Sequence, residues 1–115
     1  MQPQQRVVRH PYVAPKGEAL RVERGDSLLC HHRDEANPAW WWCTDRYGRS
    51  GWVHQSWFEE EDYRLIALED IDARELSVAS GERVQVLQVC DGRVLCQNAA
   101  GQVGWLPVAV LSEIG

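Results

Sequence analysis

The sequence predicts an all-β protein made of two small β-barrels in succession, and three observations lead to this prediction. The chain repeats itself, its apolar residues alternate in short runs, and no segment has the pattern of a long helix. A length of 115 residues fits one ordinary domain or two very small ones. Several short strands at regular spacing, separated by turn residues, are typical of a small barrel.

The repeat is clearest in the second half of each copy. The segment WWWCTDRYGRSGWVH, from Trp40, aligns with RVLCQNAAGQVGWLP, from Arg93. The shared positions are Cys43 and Cys96, Gly48 and Gly101, Gly51 and Gly104, and Trp52 and Trp105. Upstream, ALRVERGDSLLC matches ELSVASGERVQVL, and the first copy is longer before Leu20 and again around RDEANP. Because loops tolerate insertions better than strand ladders do, these two places are predicted to be loops.

The acidic run at residues 59–62 marks the boundary between the copies and predicts domains 1–60 and 61–115. We interpret this run as a solvated linker, short enough to keep the two barrels closely docked. Alternation in LSV, RVQVLQV and GRVLCQ predicts strands, and YGRSGW and AAGQVGW predict tight hairpin turns. The stretch LEDIDAREL looks helical by composition, but its counterpart PYVAPKGEAL contains two prolines, which disfavour a helix there.

Charge and hydropathy exclude several classes of function. The net charge of −5 argues against a nucleic-acid groove, which needs a clustered positive patch, and against binding to anionic membranes. No run of about 18 apolar residues could span a bilayer. The N-terminal stretch lacks an apolar segment of signal-peptide length, so a cytoplasmic location is predicted. In that compartment the four cysteines are expected to be thiols rather than disulfides.

Several segments of the chain resemble the motifs of a known domain family. ALEDIDARELSVASGERVQVL, from Ala67, resembles the opening of a Src-homology 3 (SH3) domain, and GQVGWLPVAVL, from Gly101, resembles its closing strand. EALRVERGDSLL, AWWWC and GRSGWVHQSWF fit the same frame in the first copy. The chain is also similar to small prokaryotic tandem SH3-like proteins. The resemblance implies two consecutive five-stranded SH3-like barrels and a binding protein rather than an enzyme.

The family holds proline-rich peptides against an aromatic groove, and its groove positions carry over to the first copy. They fall at His10, Tyr12, Trp40, His54 and Trp57, and the acidic peptide-reading loop holds Glu18. These six residues are the predicted peptide-binding site, and Trp40 is expected to be exposed to the ligand. His54 stands where the family has a groove proline.

The second copy is predicted to have a degenerate groove. Ile71, Arg93 and Val110 stand at its aromatic positions, and only Pro107 remains. Arg93 is expected to contact an acidic segment, with the run at 59–62 as a candidate. Strand alternation places Trp40 and Trp42 on one face and Trp41 on the other, while Trp52 and Trp105 recur in both copies and are expected to be architectural.

Two functional hypotheses follow, and both are non-enzymatic. In the first, the protein binds a proline-rich or extended peptide of a partner through the first copy. In the second, the two copies form a rigid block that binds a folded partner, in a structural or inhibitory role, with the groove covered. Solvent exposure of Trp40 and Trp57 distinguishes them. No cofactor or metal is predicted: neither Cys30 with the adjacent histidines nor Cys43 with His54 has the spacing of a structural zinc site or a recurring catalytic pair.

Overall fold

The computed structural model describes residues 4–112, and this part of the chain is all-β, without an α-helix. The strands are β1 (Gln4–Val7), β2 (Arg21–Val22), β3 (Ser27–Arg33), β4 (Trp40–Thr44), β5 (Ser50–His54), β6 (Phe58–Glu61), β7 (Arg64–Ala67), β8 (Ile71–Asp72), β9 (Arg83–Cys90), β10 (Arg93–Gln97) and β11 (Val103–Pro107). Single 3-10 turns follow β5 and β11, at Gln55–Trp57 and Val108–Val110. The segment LEDIDAREL, helical by composition, instead contains β8.

The chain divides into two compact units, but their bounds differ from the predicted domains 1–60 and 61–115. One unit, here called the continuous unit, is Gly17–Arg74. The other, the split unit, combines the described parts of Met1–Lys16 and Glu75–Gly115. The chain therefore leaves the split unit after Lys16 and returns to it at Glu75.

In the continuous unit, five antiparallel strands form a sheet in the order β5-β4-β3-β7-β6. The long strand β3 pairs with β4 along one part of its length and with β7 along another, where Ser27 lies opposite Ile66 and Leu28 opposite Leu65. A separate two-stranded ladder joins β2 to β8.

The split unit has the same arrangement of strands. Its sheet has the order β1-β9-β10-β11, and the long strand β9 takes the place that β3 has in the continuous unit. On the far side of β1, Val8 bridges to Leu111, and the Ser112 backbone N–H donates to the Val7 carbonyl at 2.8 Å. Residues 111–112 thus correspond to β6.

Each unit takes its first strand from the other copy of the repeat. The first copy supplies β1 to β9 of the second copy, and the second copy supplies β7 to β3 of the first. The loop segments that follow are exchanged in the same way, since β2 pairs with β8 and Tyr12 bridges to Val78. The predicted boundary fails to match the compact units because strand pairing crosses between the sequence copies.

A tight turn at residues 62–63 accounts for this exchange. The residues 59–61 are part of strand β6 rather than a solvated linker, which corrects that prediction. Asp62 and Tyr63 have φ of 51° and 65°, and the chain reverses there so that β7 pairs with β6, Glu61 lying opposite Arg64. A two-residue turn with positive φ at both positions matches the twist of an antiparallel hairpin. The second copy's first strand therefore pairs locally, at little cost in loop closure.

The repeated glycines Gly51 and Gly104 are explained by close packing. A Cβ atom at Gly51 would lie 2.5 Å from the Cβ of Ala73, and one at Gly104 would lie 2.7 Å from the backbone N of Leu76. The first contact joins β5 to Ala73, which follows β8, and the second joins β11 to Leu76. Glycine recurs at these two positions because a neighbouring segment packs closely against the strand in each unit.

The two units have separate apolar cores. The core of the split unit consists of Val8, Leu76, Val78, Val84, Val94, Cys96, Leu106, Val110 and Leu111. Buried residues of the continuous unit include Leu20, Val22, Leu28, Trp40, Cys43, Val53, Trp57, Ala67, Ile71 and Ala73. Val8 follows directly on β1, and Ala67 is the last residue of β7. Both are almost fully buried.

The expectation of four thiols is wrong for two of the cysteines. Cys30 and Cys43 lie opposite each other on β3 and β4, with their Cα atoms 4.0 Å apart, and form a disulfide. Cys90 and Cys96 carry thiols, and burial raises the pKa of the Cys96 thiol to about 11. Sequence alignment missed the pair because Cys30 aligns with Val86, so only one member of the pair recurs in the second copy.

We predict that fragment 17–74 folds alone, because it holds β2 to β8 and their core. Fragment 75–115 lacks β1 and Tyr12, so it should stay unfolded until a peptide of residues 1–16 is added. Circular dichroism and urea unfolding of both fragments, with and without the peptide, measure this. Cooperative unfolding of fragment 75–115 in the absence of the peptide would show that β1 is not needed.

We also predict that alkylation of the denatured, unreduced protein labels two of its four cysteines. Reduction should lower the free energy of unfolding by about 2–3 kcal/mol, because the bridge closes a short loop in the unfolded chain. The double variant Cys30→Ala/Cys43→Ala should lose this sensitivity to reductant, while Cys90→Ala should keep it. Four labelled cysteines in protein purified without reductant would contradict the pairing.

Candidate functional site

An aromatic cluster lies where β4 begins, β5 ends and the following 3-10 turn starts. Trp40 is paired with His54 across the two strands, and their ring centroids are 5.1 Å apart. Trp57, on the 3-10 turn, meets Trp40 edge to face at 5.2 Å with an interplanar angle of 90°. This is the favoured geometry for paired aromatic rings. Trp40 is 1% exposed and Trp57 8% exposed, so the predicted exposure of Trp40 to a ligand is not observed.

His54 holds this cluster in place through its Nδ1 atom. The backbone N–H of Ser56 donates to Nδ1 at 3.2 Å, and the Ser56 hydroxyl lies 2.8 Å from the same atom. Nδ1 is therefore an acceptor, and His54 caps the 3-10 turn that carries Trp57. The equivalent cap in the split unit, Pro107, makes no such side-chain bond. A histidine at the family's proline position thus has a structural role in orienting Trp57.

The structure divides the six predicted peptide-binding residues between the two units. Glu18, Trp40, His54 and Trp57 belong to the continuous unit, whereas His10 and Tyr12 belong to the split unit. The division follows from the exchange of first strands. In the continuous unit, the place expected for Tyr12 is taken by Ile71, which is 4% exposed.

Tyr12 belongs instead to a polar cluster in the split unit. Its hydroxyl donates a short hydrogen bond to Glu75 Oε1, and the same oxygen accepts from Arg93 Nη1 at 3.3 Å. The side chains of Glu75 and Arg93 are 5% and 12% exposed. Burial and the Glu75 carboxylate raise the pKa of Tyr12 to about 12. Arg93 was expected to contact an acidic segment, and it forms an ion pair with Glu75.

The outer face of β3, β4 and β5 carries a second aromatic group, which we call the aromatic ladder: His32, Trp42 and Trp52. Trp42 lies opposite Trp52 with ring centroids 5.2 Å apart, and His32 meets Trp52 at 5.9 Å. All three differ from Trp40 in exposure, since Trp42 and Trp52 are half-buried and His32 is exposed. Strand alternation predicted that Trp40 and Trp42 share a face, and the pairing of Trp40 with His54 and of Trp42 with Trp52 agrees with this.

Trp41 points to the opposite face of β4, the face of Cys43 and Val53. The guanidinium of Arg33 lies 4.6 Å from the centre of its ring, a cation–π contact. Sequence reasoning left the roles of Trp41 and Trp42 open and missed the ladder. The turn is centred on Tyr47, five residues from each of Trp42 and Trp52, whereas the predicted turn YGRSGW includes Trp52 and so gave no such pairing.

Trp52 and Trp105 differ in their surroundings although they recur in the repeat. Trp105 is 7% exposed, pairs with Leu95 and bridges to Glu75, which agrees with an architectural role. Trp52 is half-buried and part of the aromatic ladder. Trp52 and Trp105 occupy equivalent positions in the repeat, but only Trp105 is buried as an architectural residue would be.

Comparison with protein-family models matches one segment of the chain. A family model described as "Variant SH3 domain" matches residues 6–61. The match supports an SH3-like domain, a class of generally non-catalytic modules that bind protein or peptide partners. Residues 6–16 of the matched range lie in the split unit, and residues 17–61 lie in the continuous unit. The matched segment therefore includes the end of the exchanged strand β1 as well as most of the continuous unit. A search of curated proteins and a search of solved structures found no match.

Two further observations concern residues 4–112 only. No group of three or more His, Cys, Asp or Glu side chains in this range is arranged to hold a metal ion. No helix in this range is long and apolar enough to cross a membrane.

We predict that Tyr12 makes stability pH-dependent at high pH. Its pKa is raised in the folded protein, so its contribution is complete below its unfolded value near 10 and is lost as the pH rises towards 12. Titration of tyrosinate absorbance should show one phenol that ionises near pH 12, and the free energy of unfolding should fall between pH 10 and 12. Tyr12→Phe should remove both effects, and Tyr63→Phe, at a side chain 99% exposed, should keep them. An unchanged titration in Tyr12→Phe would contradict the assignment.

Proposed function

We propose that the protein is a non-enzymatic interaction module that binds a folded partner protein through the outer face of β3, β4 and β5. The observation that carries this proposal is the burial of Trp40 and Trp57. Their exposure distinguishes an open peptide groove from a covered one, and both indoles are less than a tenth exposed. The SH3-like match to residues 6–61 supports a role in protein interaction generally.

A proline-rich peptide needs the open faces of aromatic rings, because its proline rings fill the ridges between them. Here Trp40 packs against both His54 and Trp57, and these contacts occupy its ring. Tyr12, the remaining aromatic of the predicted set, has its hydroxyl bonded to Glu75 in the split unit. A peptide in the predicted groove would have to displace packed aromatic contacts before it gained its own.

The aromatic ladder has the properties of an interaction surface. Trp and Arg are the residues most enriched among those that dominate binding energy at interfaces. Trp42 and Trp52 are held by neighbouring strands of one sheet, so little side-chain entropy is lost on binding. Leu29 lies opposite Thr44 on the same face and is 64% exposed. An exposed leucine beside half-buried tryptophans forms an apolar area with a polar rim that includes His31 and His32.

The experiment has a capture arm and a peptide arm. In the first format, immobilised protein is incubated with a native lysate of its source cells. In the second, the same lysate is denatured and blotted, and the blot is probed with the protein in solution. We expect a partner that binds only in the native lysate, is lost with Leu29→Asp and Trp42→Ala, and is retained by Leu68→Asp, at an exposed leucine outside the ladder. Loss of binding by more than about tenfold corresponds to the removal of an interface hot spot.

The peptide arm titrates proline-rich peptides against the six tryptophan indoles, observed by 15N NMR. We expect no saturable shift of the Trp40 or Trp57 indole. A saturable shift of either one that disappears in Trp40→Phe would overturn the proposal and favour peptide binding. Retention of the captured partner by Leu29→Asp and Trp42→Ala would overturn the assignment to the ladder.

A further inference from the structure

A cavity of about 440 Å³ opens in the split unit, between β1, the end of β9 and the second 3-10 turn. Its lining residues are Gln4, Arg6, Arg9, Val86, Val89, Val94, Val108, Ala109, Leu111 and Ser112. None of the family's groove positions in this unit, Tyr12, Arg93, Pro107 and Val110, lines it. The volume lies in the range of small-ligand sites, about 300–1,000 Å³. The cavity is therefore a different site from the groove that the sequence predicts.

The cavity has an apolar floor and an exposed apolar rim. Val94 and Leu111 on the floor are 2% and 6% exposed and belong to the core of the unit. Val89 and Val108 at the rim are 65% and 49% exposed. Single exposed valines are common on protein surfaces, but two at the mouth of one apolar cavity form a continuous surface for an aliphatic side chain.

Among the lining side chains of residues 4–112, the charged ones are Arg6 and Arg9. Arg6 donates from Nη1 to the Ser112 carbonyl at 3.3 Å, and its buried Nε has no hydrogen-bond partner among the described residues. Arg9 is exposed at the mouth. Arginine carries five N–H donors, and the side-chain hydrogen bond described for Arg6 within residues 4–112 engages one of them. The described lining of this cavity therefore combines two positive charges with apolar walls, in a chain whose net charge is −5.

We propose that this cavity binds a peptide segment of a partner protein in which a glutamate or aspartate lies next to a branched aliphatic residue. The carboxylate pairs with the arginines, which form strong charge-assisted hydrogen bonds to carboxylates, and the aliphatic side chain covers Val89, Val94 and Val108. The amide of Gln4 offers both a donor and an acceptor to the peptide backbone at the rim. This contact is independent of the aromatic ladder, since every lining residue belongs to the split unit.

The test uses the full chain, labelled with 13C on valine and leucine methyl groups. The probes are the capped peptide Gly-Leu-Glu-Val-Leu-Gly, the same peptide with glutamine for glutamate, and decanoate. We expect the first peptide to shift the methyl groups of Val89, Val94 and Leu111 saturably. The glutamine peptide should bind about three- to fivefold more weakly, as expected for a partly exposed ion pair.

Matched variants locate the site. Arg9→Gln should weaken binding of the glutamate peptide to the level of the glutamine peptide, while Arg83→Gln, on the same unit but outside the cavity, should not. Val89→Asp should abolish binding, and Leu87→Asp, at a similarly exposed neighbour on β9, should not. Preserved methyl dispersion in each variant shows that the fold is intact.

Several outcomes would overturn the proposal. Equal affinity for the glutamate and glutamine peptides would remove the role of the arginines. Binding of decanoate without binding of either peptide would identify an aliphatic acid as the occupant. Shifts that fall only on residues outside the cavity, or no shift at up to millimolar peptide, would show that the cavity takes no such segment.

Discussion

The exchange of first strands is the constraint on which the rest of the structure depends. Each unit is complete only when β1 or β7 lies beside the long strand of the other sequence copy and forms ladder hydrogen bonds with it. Val8, directly after β1, and Ala67, in β7, are buried there. An unpaired strand edge in either unit would leave backbone N–H and C=O groups without partners. The tight turn at residues 62–63 selects this pairing, because β7 follows β6 directly and forms a hairpin with it.

The exchange determines which side chains meet, and so what each site can do. It places Tyr12 in the split unit beside Glu75 and Arg93, where a buried arginine has the position of a groove tryptophan. It also leaves Trp40 with His54 and Trp57 as partners in the continuous unit. A buried ion pair that shares an acceptor with a tyrosine is a poor surface for proline rings, and so is a tryptophan whose ring is already packed. Of the groove positions, Trp40 and Trp57 are thus buried in the continuous unit, and Tyr12 packs against the core of the split unit.

Much of the fold could be predicted from the sequence, because it is recorded in local patterns. The strands of RVQVLQV and GRVLCQ, the hairpin turns at Gly48 and Gly101, and the shared face of Trp40 and Trp42 all follow from alternation and turn chemistry. The domain assignment did not follow, since the repeat gives the order of strands but not which copy each one joins. That choice depends on a turn with positive φ at both Asp62 and Tyr63. Aspartate tolerates this conformation but tyrosine seldom adopts it, so the residue types alone did not predict the turn.

The site was predicted less well for a related reason. Family positions were carried over on the assumption that one copy of the sequence makes one barrel, so residues from two units were assigned to one groove. In the proposal made above, the excess of tryptophan bears on Trp42 and Trp52 rather than on Trp40 and Trp57. Trp42 and Trp52 face outward because hairpin register puts them opposite each other on the side away from the disulfide and Val53. A sheet face rigidified by cross-strand aromatic pairs suits a partner that is itself folded, because both surfaces can then meet without first ordering either one.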